Sequence, residues 1–525
     1  MKQLRSYVAG QWVAGRGKAT TLYNPTTEEP IFEASTEGVD LGAAVAHARG
    51  KGLPALQELT FAQRGQALQA AANALHARRD ELLDLAMVCG GNTRGDAKFD
   101  VDGALGTLAF YARLGESLGA TRFFVDGQGT QLGRSPKFHG EHLLVPRRGI
   151  AVHINAFNFP AWGLWEKAAV ALLAGIPVIT KPATSTAAVA VRTVEVLVEA
   201  GALPEGALQV IAGSATSLTD HLGPQDALAF TGSSDTAATL RAHEAFIRRG
   251  ARINIEADSL NAAILGADVE EGSETFDLFV REVVVDMTQK AGQKCTAIRR
   301  VFVPAARMAA ARAALVEALS AIKTGDPSLR EVKVGPVATA GQLRDVRAGV
   351  ERLKRAATPV VGGQGDLRGA LTGITGDKGY FISPVLLEAQ DAAAADEVHR
   401  HEVFGPVATL LPYSGDPAEA ARLVGLGDGG LVASIYSDDA DVVGGVTLGM
   451  APYNGRVNVG SAKVAEQSLG PGAVLPQLVH GGPGRAGGGE ELGGLRGLDL
   501  YLQRTAVQGY KPLLEKLAGQ GHRVG

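Results

Sequence analysis

The chain is expected to be an α/β protein with two open α/β domains in tandem and a small β flap. Three observations carry that expectation. After residue 150, short apolar runs at 177–180, 208–211 and 227–230 alternate with helical stretches at 184–200 and 235–243. Strands separated by single helices form right-handed βαβ units on a parallel sheet. The alternation restarts after 260, with strands at 261–265 and 299–303, helices near 275–291 and 305–322, and strands near 382–387, 407–411 and 431–436. The third observation is a break in the pattern. Segment 126–148 is polar and punctuated by Gly127, Gly129, Gly133 and Gly140, which suggests a hairpin. Segment 500–510 (LYLQRTAVQGY) is a second isolated strand.

The other elements follow from local signals. Segment 61–90 places Leu68, Ala71, Ala72, Leu82, Leu85 and Ala86 at helical spacing. It is read as two helices, with Asp80 starting the second. The run from Ala168 to Ile179 contains Gly175 and Pro177. It is too short to cross a bilayer and reads as a buried helix running into a strand. The glycine-rich stretch 470–494 keeps Leu475, Val479 and Leu492, so an ordered, tightly folded loop is expected. The two stray β segments are read as pairing into an oligomerisation flap, with ordinary surface hairpins as the alternative. The expected division is 1–125 with 149–257 for the first α/β domain, 258–495 for the second, and 126–148 with 496–525 for the flap.

Composition narrows the function. Hydrophobic residues make up 46% and charged residues 20% of 525, enough apolar surface for large cores and not a disordered chain. A net charge of −4 gives no electrostatic reason to expect nucleic acid or an anionic membrane. Two cysteines cannot make a disulfide framework, which fits a reducing cytoplasm. The N-terminus, MKQLRSY, lacks the apolar core of a signal peptide.

One of those cysteines, Cys295, lies in Gly292-Gln293-Lys294-Cys295-Thr296, with Lys290, Lys294, Arg299 and Arg300 close in sequence. A glycine frees the backbone, and nearby cations would lower the thiol pKa. Glu256 closes the run Arg252-Ile253-Asn254-Ile255-Glu256, and Asn158 lies in Asn155-Ala156-Phe157-Asn158-Phe159-Pro160. A nucleophile, a base and an amide donor are the parts acyl chemistry needs. Taken singly, Cys295 reads equally as a small buried hydrophobe, and Glu256 as a surface charge.

Cofactor signals are unconventional. The two G-x-G-x-x-G matches, Gly425/Gly427/Gly430 and Gly482/Gly484/Gly487, lack the strand-then-helix context and are read as decoys. Lys181 in Val178-Ile179-Thr180-Lys181-Pro182-Ala183-Thr184 stands at the C-terminal end of a strand, the ligand edge of an open sheet. Thr184 or Ser185 is expected to cap the next helix. The run Phe230-Thr231-Gly232-Ser233 again leads from a strand to a helix N-terminus, where N–H groups and hydroxyls can meet an anion. His399-Arg400-His401-Glu402 fits no standard zinc spacing and is not read as a metal site.

Together, Asn158-Phe159-Pro160, Lys181-Pro182-Ala183, Phe230-Thr231-Gly232-Ser233, Glu256, Cys295 and Glu402-Val403-Phe404-Gly405-Pro406 resemble the aldehyde dehydrogenase superfamily. The resemblance runs from Gly10-Gln11-Trp12 to the last strand. It implies the aldehyde dehydrogenase fold, and a family that binds its dinucleotide without the glycine fingerprint. It implies Cys295 as nucleophile, the Asn158 amide in the oxyanion hole, Glu256 as the base for thioester hydrolysis, and Lys167 as a buried proton-moving lysine. Lys181 and Glu402 would hold ribose hydroxyls, Phe404 would pack near the nicotinamide, and Phe230, Gly232 and Ser233 would line the dinucleotide site. Thr184 stands where many NAD-preferring members carry glutamate, which argues for NADP, since a carboxylate repels a 2′-phosphate and a hydroxyl can donate to it. Ala156-Phe157-Asn158 replaces the usual Pro-Trp-Asn, which points to an altered substrate wall. The motif style resembles dehydrogenases of bacterial aromatic-acid breakdown, including benzoate oxidation, which act on ring-opened semialdehydes carried on coenzyme A. A homo-oligomer is implied, with a dimer favoured. Two other readings stay open: a CoA-acylating dehydrogenase, against which Glu256 argues, and a non-catalytic protein on the same fold.

Overall fold

A computed structural model describes residues 1–525. The first large sheet has nine strands. Its parallel part runs Arg252–Glu256, Ala227–Thr231, Ala151–Ile154, Val178–Lys181 and Leu208–Val210. The remaining strands come from the N-terminus: Lys2–Val8, Gln11–Ala14, Thr20–Tyr23 and Pro30–Ala34. Those four were not read from the sequence, because their burial alternates weakly and no helix separates them.

Register aligns the ligand edge. Ile154 pairs with Lys181 and with Phe230, and Thr231 pairs with Glu256. The C-terminal ends of four adjacent strands therefore present Lys181, Ile154, Thr231 and Glu256 in a row, as the strand ends of an open parallel sheet should.

The second sheet has seven strands, ordered Thr358–Val361, Val385–Glu388, Val407–Tyr413, Arg300–Pro304, Ala262–Leu265, Gly430–Tyr436 and Asn454–Gly460. All pairings are parallel except that of the edge strand Thr358–Val361. The third sheet joins the two stray β segments. Leu502–Tyr510 pairs antiparallel with Phe138–Pro146 over nine residues, and Phe138–Pro146 pairs with Phe124–Gln131. A short strand, His522–Val524, closes the other edge in parallel. Only three residues long, it left no periodic signal.

Several boundaries differ from the sequence reading. The helices Phe61–His76 and Arg79–Gly90 are present. Asp80, however, lies inside the first turn, and Arg78 is the cap. A carboxylate there still favours the helix dipole without capping. Neither Thr184 nor Ser185 caps its helix: both sit in a one-turn 3-10 helix, Thr184–Thr186, ahead of Ala187–Ala200. Strand Val385–Glu388 begins three residues later than expected. The helix Glu274–Thr288 stops short of 291 because the backbone turns left-handed at Lys290 and Ala291. No helix is long and apolar enough to cross a membrane.

The helix Trp162–Ala174 is buried along its whole length. Its first N–H groups are met by a buried carboxylate: Ala161 and Trp162 donate to Asp100 at 3.2 and 2.8 Å. This anchors the segment that carries Asn158 and Lys167 to the helix Arg94–Leu118.

Candidate active site

Cys295 is presented by a strained turn. Lys290, Ala291 and Gly292 have φ of 56°, 53° and 68°, three successive left-handed residues of which two are not glycine. Such residues cost on the order of 1–3 kcal/mol each unless the surroundings fix them. Here the Lys290 N–H donates to Asp96 at 2.9 Å, its ammonium donates to Asn92 at 3.1 Å, and that ammonium lies 4.7 Å from the Phe159 ring centre. At Gly292 a Cβ would fall 2.1 Å from the Gly405 carbonyl oxygen. Beyond the turn, Asn261 donates to the carbonyls of Cys295 and Ala297 at 2.7 and 2.9 Å. Arg299 donates to the carbonyls of Gly292, at 2.8 Å, and of Gly405 at 2.6 Å. That guanidinium ties the thiol loop to the Glu402–Gly405 loop.

The cations near Cys295 in sequence do not serve it. Lys290 is committed as above, Lys294 pairs with Asp286, and Arg300 bonds the Leu260 and Val424 carbonyls. Burial, and then the Glu256 carboxylate, push the Cys295 thiol well above its ordinary pKa. The expectation of a thiolate lowered by lysines is therefore corrected. What stands beside the thiol is His480, whose Nε2 is 3.9 Å from Sγ and 3.1 Å from Glu256 Oε2. Burial raises the Glu256 pKa, but His480 and then Lys167 outweigh it and hold the carboxyl at about 2. Glu256 is buried at the end of its strand and is not a surface charge.

Behind Glu256 lies a charged cluster. Lys167 contacts Glu166 and, at 3.0 Å, Glu491. Oxygens of Glu166, Glu256 and Glu491 all lie within 4.8 Å of one another. Burial raises the pKa of Glu166 and of Glu491. For Lys167 the three carboxylates overcome burial and raise its pKa.

Asn158 donates to the Gln293 carbonyl at 3.1 Å. An amide has two N–H groups, so one remains for a substrate oxygen. A cavity of about 430 Å³ is lined by Asn158, Lys181, Phe230, Gly232, Ser233, Glu256, Cys295, Glu402 and Phe404. Thr184 does not line it, although Ala183 does, and Lys167 stands behind it. Gly232 makes room for Phe230, whose ring would lie 2.5 Å from any Cβ there. Ser233 caps the helix Ser234–Arg241, as the strand-to-helix reading anticipated. The first N–H of that helix, on Ser234, is taken by Asp258 at 3.1 Å. A second cavity, of about 520 Å³, also reaches the thiol and is lined by Phe99, Phe159, Trp162, Val285 and the 468–475 loop. Cys295 is common to both.

The aldehyde dehydrogenase family model matches residues 12–507. The chain belongs to the aldehyde dehydrogenase family. This aldehyde dehydrogenase is 45% identical to 3,4-dehydroadipyl-CoA semialdehyde dehydrogenase of Aromatoleum evansii, over 92% of this chain and 93% of that one. It is 26% identical to succinate-semialdehyde dehydrogenase [NADP(+)] of Escherichia coli over 95% of this chain and 96% of that one. Its fold is similar to that of betaine aldehyde dehydrogenase from Staphylococcus aureus in complex with NAD+, with a TM-score of 0.83 at 23% identity, covering 97% of this chain and 95% of that one.

An aldehyde dehydrogenase oxidises an aldehyde with a nicotinamide dinucleotide. The 430 Å³ cavity suits such a group: it lies on the strand edge, and its lining residues carry buried oxygens without a hydrogen-bond partner, among them Asn155 Oδ1, Thr231 Oγ1 and Glu402 Oε1. Lys181 ends its strand at that edge, its pKa lowered by burial. Glu402 accepts from the Ser259 N–H at 3.2 Å and lies 3.7 Å from Arg299. Phe404 packs edge-on to Phe157.

His480, Glu166, Glu491, Asn261 and Asp100 were missed by sequence reasoning. His480 and Glu491 lie in the glycine-rich 470–494 stretch, where no periodicity singles out a residue. Asn261, at the start of a strand, carries no local signal for a partner 34 residues away. In the 399–402 run the side chains diverge. His399 meets Arg300 and the Ala392 carbonyl, His401 meets Arg352 and Glu397, and Glu402 faces Ser259.

Proposed function

We propose that this aldehyde dehydrogenase oxidises a CoA-linked semialdehyde, 3,4-dehydroadipyl-CoA semialdehyde or a close analogue, to the carboxylate with NADP. The observation that carries this reading is the position of Cys295 at the junction of the two cavities, with Glu256 beside it. The aldehyde enters by the 520 Å³ cavity, and Cys295 Sγ attacks its carbonyl carbon. The free N–H of Asn158 and the Cys295 N–H hold the developing oxyanion. The bound cofactor supplies a hydride acceptor. Lys181 and Glu402 would hold its ribose hydroxyls. Glu256 then takes a proton from the water that attacks the thioester, and the thiolate leaves.

The substrate cavity supports an anionic, elongated aldehyde. Two of its three acidic lining residues are paired with cations, Asp102 with Arg79 and Asp286 with Lys294, and the third, Glu282, accepts from the hydroxyls of Tyr436 and Ser468. Lys98 and Arg281 line the same cavity, are exposed, and have no carboxylate partner. They leave positive charge where the phosphates of a CoA tail would lie. The inner wall of Phe99, Phe159 and Trp162 suits the apolar stem.

The deciding experiment screens purified enzyme with free and CoA-linked semialdehydes, with NADP and NAD, following reduced nicotinamide and free CoA. Faster turnover of the CoA-linked substrate with NADP, without consumption of free CoA, is expected. Formation of a new thioester at the expense of free CoA would instead establish the acylating reaction. A preference for NAD would sink the cofactor assignment.

A further inference from the structure

We propose that His480 is the proton acceptor for the Cys295 thiol, so that the thiolate forms as one half of a thiolate–imidazolium pair braced by Glu256. The proposal rests on Cys295 being the nucleophile and goes beyond it by assigning how the thiol is activated.

The problem it solves is visible in the charge around Sγ. A thiolate here would be buried beside the Glu256 carboxylate, a repulsive arrangement. The ammonium groups of the lysines flanking Cys295 are turned away from it, Lys294 to Asp286 and Lys290 to Asn92. Arg299 and Arg456 are near enough to be influenced by Cys295, but both donate to backbone carbonyls, Arg456 to Ala473 and Pro471. His480 is the one side chain that can gain a positive charge within hydrogen-bonding reach of Sγ.

His480 Nε2 faces Glu256 at 3.1 Å, and Glu491, on the strand paired with its own, also acts on it. Cys295 Sγ faces the same nitrogen from the thiol loop, and the Trp162 ring packs edge-on at 5.7 Å. Lys167, from the helix behind, is the opposing cation and is itself held by Glu166 and Glu491. Both nearest charged partners of the ring, Glu256 and a Cys295 thiolate, are therefore anions.

The step balances simply. The S–H bond breaks, its electron pair stays on Sγ, and the proton forms an N–H bond on Nε2 between two anions. After Sγ adds to the aldehyde, the imidazolium stays paired with Glu256. When water attacks the thioester, its proton goes to Glu256 and the expelled thiolate returns to the same imidazolium. His480 thus keeps its proton through turnover, and each turn releases one proton by way of Glu256.

The test is the rate at which iodoacetamide alkylates Cys295 in the cofactor-free enzyme across a pH series, read by mass spectrometry of the Cys295 peptide. Cys89, buried and with its thiol pushed up to about 12 by burial, serves as the unreactive control. Wild type, His480→Gln and Glu256→Gln are compared, with folding checked by thermal melting and cofactor binding. Glutamine can still donate to Glu256 but cannot accept a proton. The expected result is at least tenfold slower alkylation of His480→Gln at neutral pH, with its profile displaced to alkaline pH, and a smaller loss in Glu256→Gln. An unchanged profile in folded His480→Gln, or a loss found only in Glu256→Gln, would overturn the proposal in favour of Glu256 as the acceptor. Full aldehyde oxidation by Cys295→Ser would instead overturn the nucleophile assignment, so the two failures are distinguishable.

Discussion

Lys167 Nζ lies 3.0 Å from Glu491 Oε2, with both side chains fully buried, and the same ammonium contacts Glu166. One cation thus serves three mutually close carboxylates, since Glu256 lies within 4.8 Å of the other two. Removing it leaves buried negative charge uncompensated, which costs about 3–5 kcal/mol. Lys167→Met should therefore lower stability in chemical denaturation by that order. Part of the loss should return at acid pH: without Lys167 the carboxyl groups of Glu166 and Glu491, already raised by burial, bind protons more tightly in the folded than in the unfolded chain, so stability rises as pH falls. A Lys167→Met protein as stable as wild type at neutral pH would show that the cluster is already largely protonated.

The thiol turn depends on Gly292. Alanine at φ 68° is strained, and its Cβ would meet the Gly405 carbonyl at 2.1 Å. Backbone atoms cannot swing aside as a flexible side chain can, so the thiol loop and the Glu402–Gly405 loop must separate. Gly292→Ala should lose about 2–4 kcal/mol of stability and most of its kcat. Because the Glu402 loop moves too, weaker cofactor binding should accompany the loss of turnover, measurable by quenching of intrinsic fluorescence.

The alternation of strands and helices was legible wherever one apolar run met one turn signal, as at 178–181 and 227–231. It was lost where structure is made by distant partners. The N-terminal strands bury little on their own, and the left-handed turn at Lys290 and Ala291 is held by Asp96 and Asn92, nearly 200 residues upstream, and by Phe159, on the Asn158 segment. The site followed the same division. Cys295, Glu256, Asn158 and Lys181 stand at strand ends or in loops that carry recognisable runs. His480 and Glu491 reach the site only because the 470–494 loop folds back onto Glu256 and Lys167, a contact no local pattern encodes. Nearness in sequence also misled, because the lysines flanking Cys295 point elsewhere, Lys290 to Asn92 and Lys294 to Asp286.

Glu402 gives cofactor binding a pH dependence. Burial raises its pKa from 4.5 to about 7, with Arg299 opposing. A raised carboxyl binds its proton more tightly in the folded than in the unfolded chain, so its contribution to stability is present below 4.5 and declines as pH rises through about 7. Binding runs the other way: ribose hydroxyls donate best to the ionised carboxylate. Cofactor affinity should therefore tighten several-fold as pH rises through 7, with release of a proton on binding below that pH. Glu402→Gln should bind more weakly and lose this pH dependence. Calorimetry in buffers of different ionisation enthalpy measures the proton directly.

The cofactor assignment has its own variant. Thr184 lies one residue past Ala183, which lines the dinucleotide cavity, in a half-buried turn. A carboxylate there would repel a 2′-phosphate and accept from a free 2′-hydroxyl. Thr184→Glu should reduce kcat/KM for NADP by about tenfold or more and raise the NAD to NADP ratio, the order expected for one close like-charge contact. A ratio unaffected by the substitution would mean that discrimination lies elsewhere on the cavity wall.

Lys98 and Arg281 test the other end of the substrate. Both are exposed, so each contributes modestly to holding a phosphate, about 0.5–1 kcal/mol, and less at high salt. The double variant Lys98→Ala with Arg281→Ala should raise KM for a CoA-linked aldehyde by about five- to thirtyfold while leaving kcat near wild type, because neither side chain is placed at Cys295. The same variant should leave kcat/KM for a short free aldehyde unaltered. Raising the salt concentration on wild type should reproduce part of the KM effect and add little to the variant. An equal loss on both substrates would place the defect in the Glu274–Thr288 helix that carries Arg281, and the tail would then bind without these two cations.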